Sequence, residues 1–341
     1  MKSLKTILSY SFVMFLLLGT AEITQAQDEA RVQAIELYNN AQELAGSDEF
    51  DGAIDLYRDA LEIARDNGLN DITDLIEERL PRVYGSRASN SYRTYQNERT
   101  VASIDRAIED FQESQEAAAE FDNQQVEQQA RGAIPQLYYV RSILNFRQDN
   151  LEEAMSDLDT AIELNSNYAA AYYQKGIVQK RMTPENVDAW MQWYDRAISI
   201  AEQVGDNTTL DNATEGAAEE LIYRGVTLGE EREFDRAIEL LNMVEQYDPS
   251  SDEQHYRLSE IYNKRGNWSA AETHARQSLD FHTGGVADKA KIYFELGTAL
   301  KGLGQAEGAC SAFENARYGD FTEPANHELE FQLKCEGHAG R

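Results

Sequence analysis

One short line of residues is written again and again along this chain. FDGAIDLYRDAL at 50–61, VASIDRAIEDF at 101–111 and LEEAMSDLDTAIEL at 151–164 are three versions of it. FDRAIELLNMV at 234–244, WSAAETHARQSL at 268–279 and AEGACSAFENA at 306–316 are three more, and VDAWMQWYDRAISIA at 187–201 is a variant. The shared pattern is a small residue, a large apolar or aromatic one four positions on, and a small one three after that. Ala154, Leu158 and Ala161 show it, as do Ala309, Phe313 and Ala316. On a helix of about 3.6 residues per turn these positions share one face. The stripe is narrow, and its small members let a second helix lie close. No such helix buries its stripe alone, so a chain built this way has to stack its units.

A second element recurs upstream of these lines. LYYVRS at 137–142, AYYQKG at 171–176, LIYRG at 221–225, QHYRLS at 254–259 and IYFELG at 292–297 each place a large pair before a small residue. The small residues are Ser142, Gly176, Gly225, Ser259 and Gly297. Two helices with narrow stripes and small residues make an αα-hairpin, and Asp149-Asn150, Arg265-Gly266-Asn267 and Gly304-Gln305 read as the turns within hairpins. Only five prolines occur, and the stretches between them are rich in Ala, Glu, Leu, Gln and Arg, which favour helix. Alternating β-branched runs with hairpin turns are missing. The fold class expected is all-α.

These residues resemble the tetratricopeptide repeat, a helix–turn–helix unit of about 34 residues with the pattern W-x₂-L-G-x₂-Y…A-x₃-F…P. The best copy runs from Ala218 to Ser251, with Leu221, Arg224-Gly225, Leu228, Phe234, Ala237, Leu241 and Pro249 in the signature places. About seven copies are traced, over 34–67, 81–121, 135–168, 169–204, 218–251, 252–285 and 290–321. The resemblance implies a right-handed α-solenoid over 27–321, with residues 322–341 supplying a C-terminal capping helix and tail. Pro324 to Cys335 is expected to be one helix, since the last repeat of a solenoid has an apolar face to cover. Copy spacings are uneven. The extra residues, as in RDNGLNDITDLIEER at 65–79 and GDNTTLDNATEGAAEE at 205–220, are expected to lengthen the first helix of the next unit. The second copy begins at Pro81 or Ala88.

The resemblance also sorts the recurring pair into two jobs, because neighbours on a helix point about 100° apart. The first member (Leu37, Tyr138, Tyr172, Leu221, His255, Tyr293) packs between helices. The second faces the concave groove in this family: Tyr38, Tyr139, Tyr173, Ile222, Tyr256 and Phe294, with Gly85 or Tyr92 in the second copy. An aromatic row there is either a partner-binding surface or a set of rings covering the second helix of their own hairpins. Arg147, Lys180, Lys264 and Lys301 lie at ends of first helices. Either they edge the groove with positive charge, or they stabilise helix C-termini by about 0.3–1 kcal/mol each. The family's clamp for peptide carboxylates, Lys and Asn at groove places five and nine, is absent, since place nine holds Ile143, Ile177, Val226, Glu260 and Thr298.

Three further features bear on function. Lys2 and Lys5, the apolar run Ile7 to Gly19 and the closing T-Q-A-Q read as a secretory signal peptide over residues 1–26, cleaved near Ala26. The chain is thus expected to be exported, to the periplasm or beyond. The formal charge of −30 argues against nucleic acid and against anionic lipid, and no later run is long enough for membrane insertion. The two cysteines, Cys310 and Cys335, are expected to pair in an oxidising compartment, the alternative being two buried free thiols. No metal-ligand spacing, nucleophile elbow or phosphate loop after a strand occurs, so neither catalytic residues nor a cofactor or metal are expected. The reading is a non-catalytic scaffold that holds a protein or peptide partner in its groove. The alternatives are a self-assembling envelope protein forming homo-oligomers, or a glycan-binding module.

Overall fold

The computed structural model describes residues 25–336 of the chain, and the segment expected to be a signal peptide lies almost wholly outside them. The described residues are helical throughout apart from their connections, with no strand among them, and they divide into two compact units, 25–187 and 188–336.

The first unit runs α1 (25–46), α2 (Phe50–Asp66), α3 (Asn70–Glu98), α4 (Val101–Glu120), α5 (Gln124–Arg147), α6 (Leu151–Leu164) and α7 (Ala169–Met182). Each helix from α2 onward packs on the next. Stripe residues are buried as their spacing requires: Ala53, Tyr57, Ala60 and Ala64 of α2, Ala154, Leu158 and Ala161 of α6. The inserted residues do lengthen first helices. α3 passes straight through Pro81, and α5 through Pro135, with both rings buried. Each proline removes one N–H from its helix, so packing of the ring has to hold the helix continuous there.

The second unit runs α8 (Val187–Val204), α9 (Asn207–Glu230), α10 (Phe234–Met243), α11 (Asp252–Arg265), α12 (Trp268–Phe281), α13 (Ala290–Gly302), α14 (Ala306–Asn315) and α15 (Thr322–His327). The hairpins α9–α10, α11–α12 and α13–α14 stack in order. Close approach explains two glycines. A Cβ on Gly225 would lie 2.6 Å from Leu241 Cγ, and one on Gly297 would lie 2.9 Å from the Phe313 ring. Leu241 and Phe313 are the large members of their stripes, so glycine opposite them lets the two helices of a hairpin touch.

The turns within hairpins repeat one device. Asp48, Arg99, Asp149, Arg232, Gly266 and Gly304 all have positive φ, between 53° and 80°. Each ends a first helix by reversing the backbone, and at all but Arg99 the N–H of the next residue returns to a carbonyl in the helix's last turn, as Asn267 N–H does to Tyr262 O at 2.9 Å; after Arg99, Thr100 N–H donates to Ser103 Oγ at 3.3 Å. Glycine and aspartate tolerate this conformation; Arg99 and Arg232 do so at some cost.

The C-terminal cap differs from one continuous α-helix. Residues Thr322–His327 are α-helical and Glu328–Gln332 form a π turn, with Lys334 at φ 53° reversing the chain. Cys335 therefore sits past the helix, its N–H bonded to Leu329 O at 3.0 Å. The wider turn sets the chain end against α14, where Cys335 is disulfide-bonded to Cys310 with Cα atoms 6.0 Å apart, an ordinary separation for a bridged pair. Ala325, Leu329 and Cys335 close over Phe313 and Leu296 in one cluster. Lys301 Nζ reaches Glu328 at 2.6 Å and ties the cap to α13.

Candidate functional site

First helices of the hairpins line the clefts of both units, but the side chains singled out above do not all reach a free surface. In the first unit Tyr38 is half-buried, its ring edge-on to Tyr57 of α2 at 5.4 Å. Tyr139 is half-buried against Tyr168 at 5.2 Å, and Tyr173 is half-buried on α7. Arg147 is exposed in the last turn of α5 and Lys180 half-buried in that of α7.

In the second unit Tyr256 is only 7 % exposed. Arg257 stands 4.8 Å from its ring centre and Lys291, from the next hairpin, 4.5 Å. Cations over an aromatic face attract it, so at this position the charged groups rather than the ring meet solvent. Phe294 packs against Phe313 of its own hairpin at 5.4 Å and against Phe321 at 5.5 Å. The cations of α11 and α13 are paired: Lys264 with Glu260 at 2.9 Å, Lys291 with Glu253 at 2.6 Å, and Lys301 with Glu328. These pairs neutralise the charge a basic strip would need. Lys264 and Lys301 also lie in last turns, where the helix dipole favours them.

Two open clefts stand out. The one in the first unit has a volume of about 710 Å³ and lies between α3 and α5, with Phe111 and Ser114 of α4 behind it. Gly85 is at its wall, whereas Tyr92, the other residue considered for this groove place, packs with Tyr95 and Tyr138 around Ile104 and Leu137. The helical face carrying Arg82, Gly85, Ser86, Ser89 and Arg93 is thus the one turned to the cleft. The second unit has a cleft of about 690 Å³ along α9 and the start of α11. Ile222, Leu210, Ala218 and Tyr247 form its apolar part, and Asp211, Glu215, Glu219, Asp248, Asp252 and Glu253 surround them. Asp252 is hydrogen-bonded to His282 Nδ1, and Glu253 to Lys291. Carboxylates dominate this cleft, so the two units offer different chemistry. Sequence reading missed both: Asp211, Glu215 and Glu219 fall in the helix extension 205–220, Asp248, Asp252 and Glu253 at the junction of two hairpins, and Gly85 was one of two candidates for its place.

The most perturbed acid in the second unit is Glu295 on α13. Burial pushes its carboxyl up to about 7. Asn263 Nδ2 donates to Glu295 Oε2 at 2.7 Å and to the Glu295 carbonyl at 2.9 Å, leaving Asn263 Oδ1 buried without a partner. Nearby, His255 and His274 face each other with Nδ1 atoms 3.1 Å apart, and burial brings His274 down to about 4. The signs oppose. Glu295, raised when folded, stabilises below its ordinary value of 4.5, and that contribution is lost as pH rises through about 7. His274, lowered when folded, stabilises above its ordinary 6.5, and that is lost as pH falls toward 4. Glu295→Gln is therefore expected to stabilise the second unit by about 2 kcal/mol at pH 8, discounted for partial exposure, and by little at pH 4.5. Thermal melts of the two forms at both pH values check this, and an equal gain at both would refute it.

Among the described residues no group of three or more His, Cys, Asp or Glu side chains is placed to hold a metal ion, and no helix is long and apolar enough to cross a membrane.

Residues 135–168 match the tetratricopeptide-repeat family. No curated protein matches the sequence. Among solved structures, the C-terminal part of a repeat-containing protein from Cytophaga hutchinsonii is 14% identical, with TM-score 0.41, over 86% of this chain and 100% of that one. YrrB, described as a TPR protein with an unusual peptide-binding site, is 17% identical, with TM-score 0.34, over 59% of this chain and 92% of its own. MamA is 15% identical, with TM-score 0.35, over 59% and 97%. These are likenesses of helical-hairpin arrays, at values too low to carry a function.

Proposed function

We propose that this chain, whose residues 135–168 match the tetratricopeptide-repeat family, is a non-catalytic scaffold of the cell envelope, holding a protein or peptide partner against the first helices of its hairpins. The observation that carries the reading is the pair of open clefts, about 710 and 690 Å³, each lined by consecutive first helices. Clefts of this form bury a segment of a partner, and their polar rims favour a chain with exposed main-chain groups over a small apolar ligand. The aromatic residues Tyr38, Tyr139, Tyr173 and Phe294, with Ile222 and the Arg257–Lys291 surface over Tyr256, are the proposed contact positions, edged by Arg147, Lys180, Lys264 and Lys301. Export is supported by the N-terminal Lys2, Lys5 and apolar run and by the Cys310–Cys335 bond, which oxidising compartments preserve.

The test is capture from the native cells after mild crosslinking, with partners identified by mass spectrometry. A Tyr38→Ala/Tyr139→Ala/Tyr173→Ala variant of unchanged helicity is expected to lose the partner by at least tenfold. Equal capture by both forms would move the contact away from the rings. Light scattering over a dilution series separates the second reading, self-assembly, which requires a mass that falls on dilution.

A further inference from the structure

Building on that scaffold reading, we propose that the cleft beside Gly85 in the first unit is a binding site for an extended acidic peptide segment, with two carboxylates about five residues apart.

The argument begins with a glycine the fold does not require. Gly85 lies inside the 29-residue helix α3, where it costs about 1 kcal/mol relative to alanine. Its φ is not positive, and a Cβ there would meet Val126 Cγ1 at 3.5 Å and Ser114 Oγ at 3.6 Å, ordinary contacts both. Neither backbone nor packing demands its small size, unlike Gly225 and Gly297. What the glycine leaves is space, at a place where other hairpins carry a ring.

A second observation points to an occupant. Ser114, itself 1 % exposed, lines the cleft, and its Oγ would lie 3.6 Å from a Cβ on Gly85. A ligand carbonyl or N–H entering over Gly85 meets that hydroxyl. Gln125 and Gln129, one turn apart on α5, line the same space, as does Asn90 of α3, whose Oδ1 accepts from Arg93. Amides that both donate and accept suit the alternating N–H and C=O groups of an extended main chain.

Charge selects the side chains of that segment. The cleft is lined by Arg82, Arg93 and a single carboxylate, Asp48, in a chain of formal charge −30. Arg93 reaches Asp48 at 3.5 Å and Arg82 reaches Glu78 at 3.0 Å, both exposed pairs. Such pairs contribute about 0–1 kcal/mol and exchange readily for a ligand carboxylate. Eleven residues apart, the two arginines return to nearly the same side of α3 and stand about 16 Å apart along it. An extended chain rising about 3.3 Å per residue covers that distance in about five residues.

The experiment pans a random dodecapeptide phage library on the purified, disulfide-bonded mature chain. Enriched peptides are then synthesised with a fluorescent label and titrated by anisotropy against the wild type, Gly85→Ala, Gly85→Trp and Arg82→Ala/Arg93→Ala, each checked for helicity. The expected result is enrichment of peptides with acidic residues four to six apart. Binding should weaken at least tenfold on Glu→Gln exchange in the peptide, in the double arginine variant and in Gly85→Trp, and should survive Gly85→Ala. Peptides that bind without acidic preference, and equally to all variants, overturn this site while leaving the scaffold reading intact. A library that enriches nothing counts against both. Binding on a glycan array that Gly85→Trp abolishes would assign the cleft to a sugar and overturn the peptide proposal alone.

Discussion

Arg141→Met is expected to destabilise the first unit by about 3 kcal/mol, because it strands a buried carboxylate. Arg141 on α5 donates to Asp157 of α6 through Nε and through Nη2, the latter at 2.6 Å, and to Asp105 of α4 through Nη1 at 2.7 Å. One guanidinium thus joins three successive helices. Its positive form is strengthened by the two carboxylates, even though burial opposes it. The Asp157 side chain is 5 % exposed and that of Arg141 24 %. Without the arginine, Asp157 keeps only Asn145 Nδ2, at 3.0 Å, and has no counter-charge. The estimate sits at the lower end of the usual range of about 3–5 kcal/mol because Arg141 is partly solvated. Urea unfolding followed by tryptophan-independent helicity would measure the loss. A second change, Asp157→Asn, should recover at least half of it, since the stranded charge is then gone. A double variant as unstable as the sum of the two single changes would mean that the pair is not coupled.

The second large effect is expected at the other end of the chain. Opening the Cys310–Cys335 bond, by reduction or by Cys310→Ser/Cys335→Ser, should loosen the last hairpin and its cap by about 3.5 kcal/mol, the chain-entropy value for a loop of 25 residues. Among the described residues only the short α15 and the π turn cover the outer face of this hairpin, so little besides the bond opposes its fraying. The bond anchors Leu329 and Ala325 over Phe313 and Leu296. The effect should be local. Hydrogen exchange is expected to quicken over 306–332 and to stay unchanged in α9 and α10. If exchange over 306–332 is the same with and without the bond, the apolar cap and the Lys301–Glu328 pair hold the end unaided.

Much of this architecture is local, and local features were legible. The small–large–small lines fall on buried stripes because helical period alone decides which residues share a face: Ala154, Leu158 and Ala161 needed no partner to be identified. The turn residues Asp149, Gly266 and Gly304 were legible for the same reason, since a left-handed residue after a helix is a property of a few neighbouring positions. The pairing of Cys310 with Cys335 followed from the count and the expected compartment. The capping segment was expected as one helix, and its last turn departs from that, because the π turn at Glu328–Gln332 answers to where Cys335 meets Cys310 of α14.

What the sequence determined by itself is a chain of αα-hairpins and which residues form each seam, because helical propensity, stripe spacing and turn chemistry act within a few residues of one another. What only the tertiary structure decided is which groove positions stay open. Tyr256 is covered because Lys291 of the next hairpin lies over it, Gly85 faces a cleft because α3 packs in one of two registers, and Asp157 is buried because Arg141 and α6 meet. Each depends on the rotation and offset of one hairpin on its neighbour. Those are set by the summed packing of many side chains distant in sequence, and no periodicity within a single helix records them.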